Sequence, residues 1–244
     1  MNRFVALVVA ACLLYAPRTL AETIIGTAVF LNQHGDMLTN RHVVDGCKRI
    51  SIKTKEDRIF PASVIAVSSQ FDMAAIREVG YTPQRNVWFP TTKDRYVYIP
   101  TSGMTLLYGG FDNDHDKNIE NMIVNISNGR AAEFLGLGDS GGIYVSTMVS
   151  NAHQGASGSG VFDYSGSLFG LVFSGYVDGA ARKNKADPYY GRNIVNFYNN
   201  NAILQFLNNE TRIQTSAIVD PPTVPRFMSV ELIYMVTSLV ICDK

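Results

Sequence analysis

Much of what would narrow this 244-residue chain to a particular chemistry is missing from it. It has three cysteines, Cys12, Cys47 and Cys242, and no Cys-x-x-Cys pair, no His-Glu-x-x-His and no EF-hand spacing. No metal is therefore expected. No phosphate-binding glycine loop precedes a helix, and no cofactor is expected. Neither sign of charge is in excess, with 21 Lys and Arg against 21 Asp and Glu. There is no basic stripe for nucleic acid and no acidic tail. Histidine is scarce, only His34, His42, His115 and His153, which leaves few candidates for proton transfer. Apolar runs are too short to span a bilayer. Asp112, Asp114, His115 and Asp116 cluster, but a solvated loop accounts for them better than a cation site does.

The N-terminus reads as a targeting segment. Asn2-Arg3 is followed by an apolar run from Phe4 to Tyr15 and by Thr19-Leu20-Ala21 before Glu22, the pattern of a cleaved leader. Residues 1–21 are assigned as a signal peptide, which makes the mature protein secreted or periplasmic. Val9-Ala10-Ala11-Cys12 is a competing lipobox-like string in which Cys12 would be lipidated, but the apolar run continues past it. Removal of the leader takes Arg3 and Arg18, leaving 19 basic against 21 acidic residues. It also leaves only Cys47 and Cys242. Exported proteins form disulfides, so these two could pair, and two free thiols fit equally well.

Hydrophobic residues make up 46% of the chain and charged residues 17%, with 20 dispersed glycines. That composition suits an all-β domain of many short strands and tight turns. Ile24–Leu31, Met37–Thr39, Ile50–Lys53, Pro61–Val67 and Ala74–Ile76 belong to a first half of roughly six short strands, a barrel or a sandwich. Met104–Gly110, Met122–Ile126, Ile143–Val149, Val161–Asp163 and Leu168–Phe173 continue the style, the last two flanking a hairpin turn. A helical stripe runs through Ile194, Phe197, Tyr198, Ile203, Leu204, Phe206 and Leu207. Its Asn199-Asn200-Asn201 centre is a poor helix former, so the helix could start at Asn201. Residues 213–244 read as a stiff Pro-rich linker and an apolar tail, Val230 to Cys242, packed on the periphery.

Gly155-Ala156-Ser157-Gly158-Ser159-Gly160-Val161 carries the candidate nucleophile. A serine hydroxyl needs a neighbouring base. Glycines at 155 and 158 let the backbone turn tightly around Ser157 and aim the Gly155 and Ser157 amides at one point. There they would stabilise an oxyanion by ~3 kcal/mol per donor. His42, in Thr39-Asn40-Arg41-His42-Val43-Val44, is the candidate base. His153 is a competitor, too close in sequence to Ser157. Asp72, in Phe71-Asp72-Met73-Ala74-Ala75-Ile76, is the candidate orienting acid, with Asp45 as its rival. Gly138-Asp139-Ser140-Gly141-Gly142 is a second serine string. Ser157 is preferred because a strand precedes it and a hairpin follows it.

These three motifs, in the order His, Asp, Ser, resemble those of trypsin-like serine proteases, nearest to the bacterial HtrA/Deg-type and glutamyl-endopeptidase-type branches. The resemblance covers about Ile24 to Asn208. It implies a double six-stranded β-barrel (chymotrypsin-like) over residues 22–212, with the site between the barrels and a C-terminal helix. It also implies substrate contacts at Asn151, Val172, Phe173, Ser174 and Gly175, the last four as a wall pairing with substrate backbone. The chain departs from those branches in having Ala156 before the nucleophile and no PDZ-like segment after the helix. Val172 stands where glutamyl-specific relatives have histidine, and Asn151 where trypsin has its pocket aspartate. An uncharged P1 preference is expected.

The resulting expectation is an exported serine endopeptidase acting on polypeptides through an acyl-enzyme. No nucleic-acid partner is expected, and membrane contact only through the tail or a lipidated Cys12. The alternative, motivated by Ala156 and the unusual tail, is a protease-fold binding module that does not cleave.

Overall fold

The computed structural model describes residues 22–83, 86–87, 89, 105–111, 124–131, 144–150, 155–176, 193–215 and 226–244. The leader with Cys12, the Asp112–Asp116 cluster, Ser140 and its glycine string, Asn151 and His153 lie outside the described residues.

Among the described residues, twelve strands and three helices follow one another. Strands β1 (Thr23–Phe30) and β2 (Asp36–Thr39) lead into the short helix α1 (Arg41–Val44). Then come β3 (Arg49–Lys53), β4 (Ile59–Val67), β5 (Ala74–Glu78), β6 (Thr105–Phe111), β7 (Val124–Ala131), β8 (Val145–Ser150), β9 (Gly160–Phe162), β10 (Leu168–Tyr176) and β11 (Asn193–Asn199). Helices α2 (Asn200–Glu210) and α3 (Arg226–Val236) precede β12 (Thr237–Asp243). The strands close two six-stranded antiparallel barrels, β1-β12-β3-β4-β5-β2 and β10-β11-β8-β7-β6-β9.

Local chemistry sets the turns. Between β1 and β2 the Asn32 side chain accepts from the His34 and Asp36 amides at 2.9 and 3.2 Å. Gly35 there takes φ +83°, a left-handed conformation open to glycine at little cost. Between β9 and β10 the Asp163 carboxylate accepts from the Ser165 and Ser167 amides at 2.8 and 2.9 Å. Side chains from β1, β2, β3 and β5 (Phe30, Leu38, Ile52, Ile76) fill the first barrel, and Tyr108, Val161, Phe169 and Phe197 fill the second.

Roughly six strands were expected by Ile76; among the described residues five strands, β1 to β5, lie there, and the sixth strand of their barrel is β12. The segment read as a peripheral apolar tail is the end of α3 followed by a barrel strand. It pairs from Thr23↔Asp243 to Val29↔Thr237 with β1, and from Leu239↔Lys53 to Asp243↔Arg49 with β3. Its strand character was hidden because both of its faces are covered, so no polar–apolar alternation marks it: Thr237 to Val240 are all buried. A disulfide joins Cys242 to Cys47, with Cα atoms 5.4 Å apart. Arg49 Nε donates to Asp243 at 2.9 Å beside it.

The helical stripe also divides differently. Ile194–Tyr198 belongs to β11, and the helix begins at Asn200. The asparagine run is the boundary itself: the Asn199 side chain caps α2 by accepting from the Asn201 amide at 3.1 Å. Helix α3 bridges the barrels. Its Ser229 hydroxyl donates to the Tyr164 carbonyl, and its Ile233 and Leu232 lie against Gly109 and Gly166, which leave no room for a Cβ.

The disulfide spans 195 residues of sequence. Replacing both cysteines, Cys47→Ala with Cys242→Ala, should lower unfolding free energy by on the order of 2–5 kcal/mol. Denaturant titration of the oxidised wild type against the double variant measures this; coincident midpoints would show that the cross-link adds nothing.

Candidate active site

His42 and Asp72 stand on the first barrel, and Ser157 stands on the second, its carbonyl bonded to the Thr27 amide of the first at 2.8 Å. His42 lies in the one-turn helix α1, placed between β2 and β3. Asp72 lies in the bend before β5. The Asp72 carboxylate holds His42 twice, Oδ1 accepting from the His42 backbone N–H at 2.9 Å and Oδ2 meeting Nδ1 at 2.5 Å. With Nδ1 engaged, Nε2 is the ring nitrogen left to face a hydroxyl, and the imidazole is about half exposed. Asp45, the rival acid, is the C-cap residue of α1.

Asp72 is itself held on every side. Its carbonyl accepts from the Asn40 side chain at 2.8 Å and from the Arg41 amide at 3.3 Å. Its N–H donates to the Tyr198 hydroxyl at 3.0 Å. Tyr198 comes from the second barrel, stacks on Phe173 at 4.1 Å and meets the edge of Phe71 at 5.4 Å. At the end of α2, Glu210 accepts from the Ser68 hydroxyl at 2.8 Å and the Ser69 amide at 2.6 Å, fixing the bend that leads to Asp72. Asn40, Tyr198 and Glu210 were not singled out from sequence. Only Asn40, two residues from His42, carried any local signal.

Ser157 sits in a turn on the second barrel, partly exposed. The Ser159 amide donates to the Ala156 carbonyl at 2.9 Å, and Gly158 has φ +86°. A positive φ at the third position of such a turn calls for glycine. A Cβ on Gly158 would also strike the Thr27 carbonyl. The turn lies against Gly26. A Cβ there would be 2.7 Å from the Val43 methyls and 3.1 Å from the Ser157 carbonyl. One backbone position therefore touches both Ser157 and the neighbour of His42.

Of the expected substrate wall, Val172 is withdrawn. It is 2% exposed, and its N–H and C=O bond Ser159 and Gly158 at 2.9 Å each. This leaves no main-chain group of Val172 for a substrate. A bulge follows between Val172 and Ser174, which turns the strand. Phe173 and Ser174 are partly exposed and Gly175 is exposed.

The family of the trypsin-like peptidase domain matches residues 26–171, more than half of the chain, and that span contains all three motifs. The chain belongs to the trypsin-like peptidases. They are a family of serine endopeptidases, and this peptidase has solved neighbours of the same fold. Rv3671c protease of M. tuberculosis H37Rv, in its inactive form, is 20% identical with a TM-score of 0.54, covering 76% of this chain and 87% of that one. The HtrA-type protease AlgW is 17% identical with a TM-score of 0.54, covering 75% of this chain and 52% of that one. An uncharacterised protein, y4bJ of Sinorhizobium fredii (strain NBRC 101917 / NGR234), is 34% identical over 62 residues. The match takes in a quarter of the peptidase and a tenth of that relative's length.

Charge at the site of the peptidase follows its geometry. Partial burial pushes the Asp72 carboxyl upward, but the side-chain and backbone bonds from His42 and the nearby positive charge more than offset it. The group is held below the ordinary carboxylate range. At Glu210, too, burial acts upward and the Ser69 and Ser68 bonds outweigh it. A carboxylate with a lowered folded pKa stabilises the native state above its unfolded pKa, about 3.9 for Asp. That stabilisation is lost as pH falls through the folded value. The thermal stability gap between wild type and Asp72→Asn should therefore be widest above about pH 4 and close in more acidic solution. A gap independent of pH, followed by calorimetry, would refute the pairing.

Proposed function

We propose that the chain is an exported serine endopeptidase in which His42, Asp72 and Ser157 act as a triad. The observation that carries this reading is the doubly bonded His42–Asp72 pair at 2.9 and 2.5 Å, set across Gly26 from the Ser157 turn. Asp72 fixes the imidazole with its proton on Nδ1. Nε2 then accepts the Ser157 hydroxyl proton as the oxygen attacks a substrate carbonyl. The Gly155 and Ser157 amides receive the oxyanion. The imidazolium returns its proton to the leaving amine, and water releases the acyl group by the same route in reverse.

Substrates are polypeptides, lying against Phe173–Gly175, with an uncharged residue preferred at P1; Asn151 is assigned to that pocket from sequence. The Cys47–Cys242 disulfide supports residence in an oxidising compartment, secreted or periplasmic. The unusual tail that motivated a non-cleaving binding module has a structural task as β12, which removes one ground for that alternative.

Ser157→Ala should abolish labelling by a fluorophosphonate probe and cleavage of unfolded casein, whereas Ser140→Ala should retain both. Labelling that survives in Ser157→Ala and disappears in Ser140→Ala would move the nucleophile. A folded wild type that neither labels nor cleaves would favour the binding module.

A further inference from the structure

We infer that Thr27 is a positioning residue for the Ser157 oxyanion amide, reaching from the first barrel to hold the nucleophile turn of the second. This rests on the triad reading above and extends it to the residue that fixes the geometry of the turn.

Thr27 is fully buried in β1. Strand β2 pairs with β1 only at Val29 and Phe30, so among the described residues no strand ladder continues along that edge of β1 at Thr27. In an antiparallel strand the N–H and C=O of one residue point to the same side, and buried main-chain groups must find partners. At Thr27 the partners are supplied by the site. Its N–H donates to the Ser157 carbonyl at 2.8 Å. Its carbonyl accepts from the Thr39 hydroxyl at 2.7 Å. Its own hydroxyl donates to the Gly155 carbonyl at 3.2 Å and accepts from the Phe111 amide at 3.0 Å. On the other edge of β1, Thr27 is paired with Leu239 of β12.

Two of these bonds go to the carbonyls of the two residues whose amides would receive the oxyanion. Their effect follows from peptide planarity. The 157–158 peptide is pinned at both ends, its oxygen by Thr27 and its N–H by the Val172 carbonyl at 2.9 Å. The 155–156 peptide is pinned at its oxygen by the Thr27 hydroxyl. The 156–157 peptide between them is held by the turn bond from Ser159 to the Ala156 carbonyl. In a trans peptide N–H and C=O point opposite ways, so the Ser157 N–H is directed away from the inside of the turn. Thr27 thus braces the planes flanking the one that carries this donor. Valine is close in shape but cannot make either hydroxyl bond. It would leave the Gly155 carbonyl and the buried Phe111 amide without these partners. Serine keeps both bonds.

The test compares wild type, Thr27→Val and Thr27→Ser, each confirmed folded by near-ultraviolet circular dichroism. Acylation by p-nitrophenyl acetate and inhibition by phenylboronic acid, which forms a tetrahedral adduct on a nucleophilic serine, are the readouts. Thr27→Val should lose about tenfold or more in acylation rate and in boronate affinity together. That is less than the factor of about 10²–10³ for deleting an oxyanion donor outright. Thr27→Ser should stay close to wild type. A role in stability alone would lower the unfolding midpoint and leave acylation per folded molecule unchanged, and that result overturns the inference. Should Thr27→Val fail to fold, Thr27→Cys, with its weak donor and acceptor sulfur, makes the same comparison. A wild type that is not acylated at Ser157 overturns the triad reading and this inference with it. An active wild type matched by folded Thr27→Val overturns the inference alone.

Discussion

The seam between the two barrels is the constraint on which the rest depends. The imidazole and its carboxylate stand on one barrel and the serine turn on the other, so any rotation between them would separate the site into halves. The seam resists this with directional contacts. The Ser157 carbonyl on the Thr27 amide, the Asp72 amide on the Tyr198 hydroxyl and the Gly155 carbonyl on the Thr27 hydroxyl all cross it. Each bond contributes only about 1 kcal/mol net, but leaving any one of these buried groups unpaired costs more. The arrangement is selective for one relative orientation of the barrels, even though the total attraction is modest.

Helix α3 adds apolar weight to the same seam. Ile233 and Val236 are fully buried in the cluster that also holds Phe30, Leu38 and Leu171. The glycines facing α3, Gly109 and Gly166, let it approach the second barrel closely. Packing thus brings the barrels together, and the polar contacts near Thr27 and Asp72 set their register.

Much of the fold was legible because short strands separated by Asn, Asp and Gly turns announce themselves one at a time. The pairing of His42 with Asp72 was legible because each motif keeps its own local signature. What escaped was non-local. Strand β12 is buried on both faces and follows α3 without a break, so periodicity could not identify it. The α2 boundary lay inside an asparagine run that looked unfavourable for helix and proved to be a cap. Val172 read as substrate wall because sequence does not reveal that both its main-chain groups are spent on the nucleophile turn. Thr27 and Tyr198 have no motif of their own. Their importance comes entirely from what lies opposite them in space.

Strand β12 has a temporal consequence. Its partners β1 and β3 are finished by residue 53, yet it begins at residue 237. During synthesis the early segment emerges with those two edges facing a gap that only a much later stretch can fill. Such remote pairings form slowly, and open edges invite association with other chains. The geometry around His42 is completed only after the second barrel has been made. For most of the time such a chain takes to build, its first barrel therefore waits open, one strand short of closure.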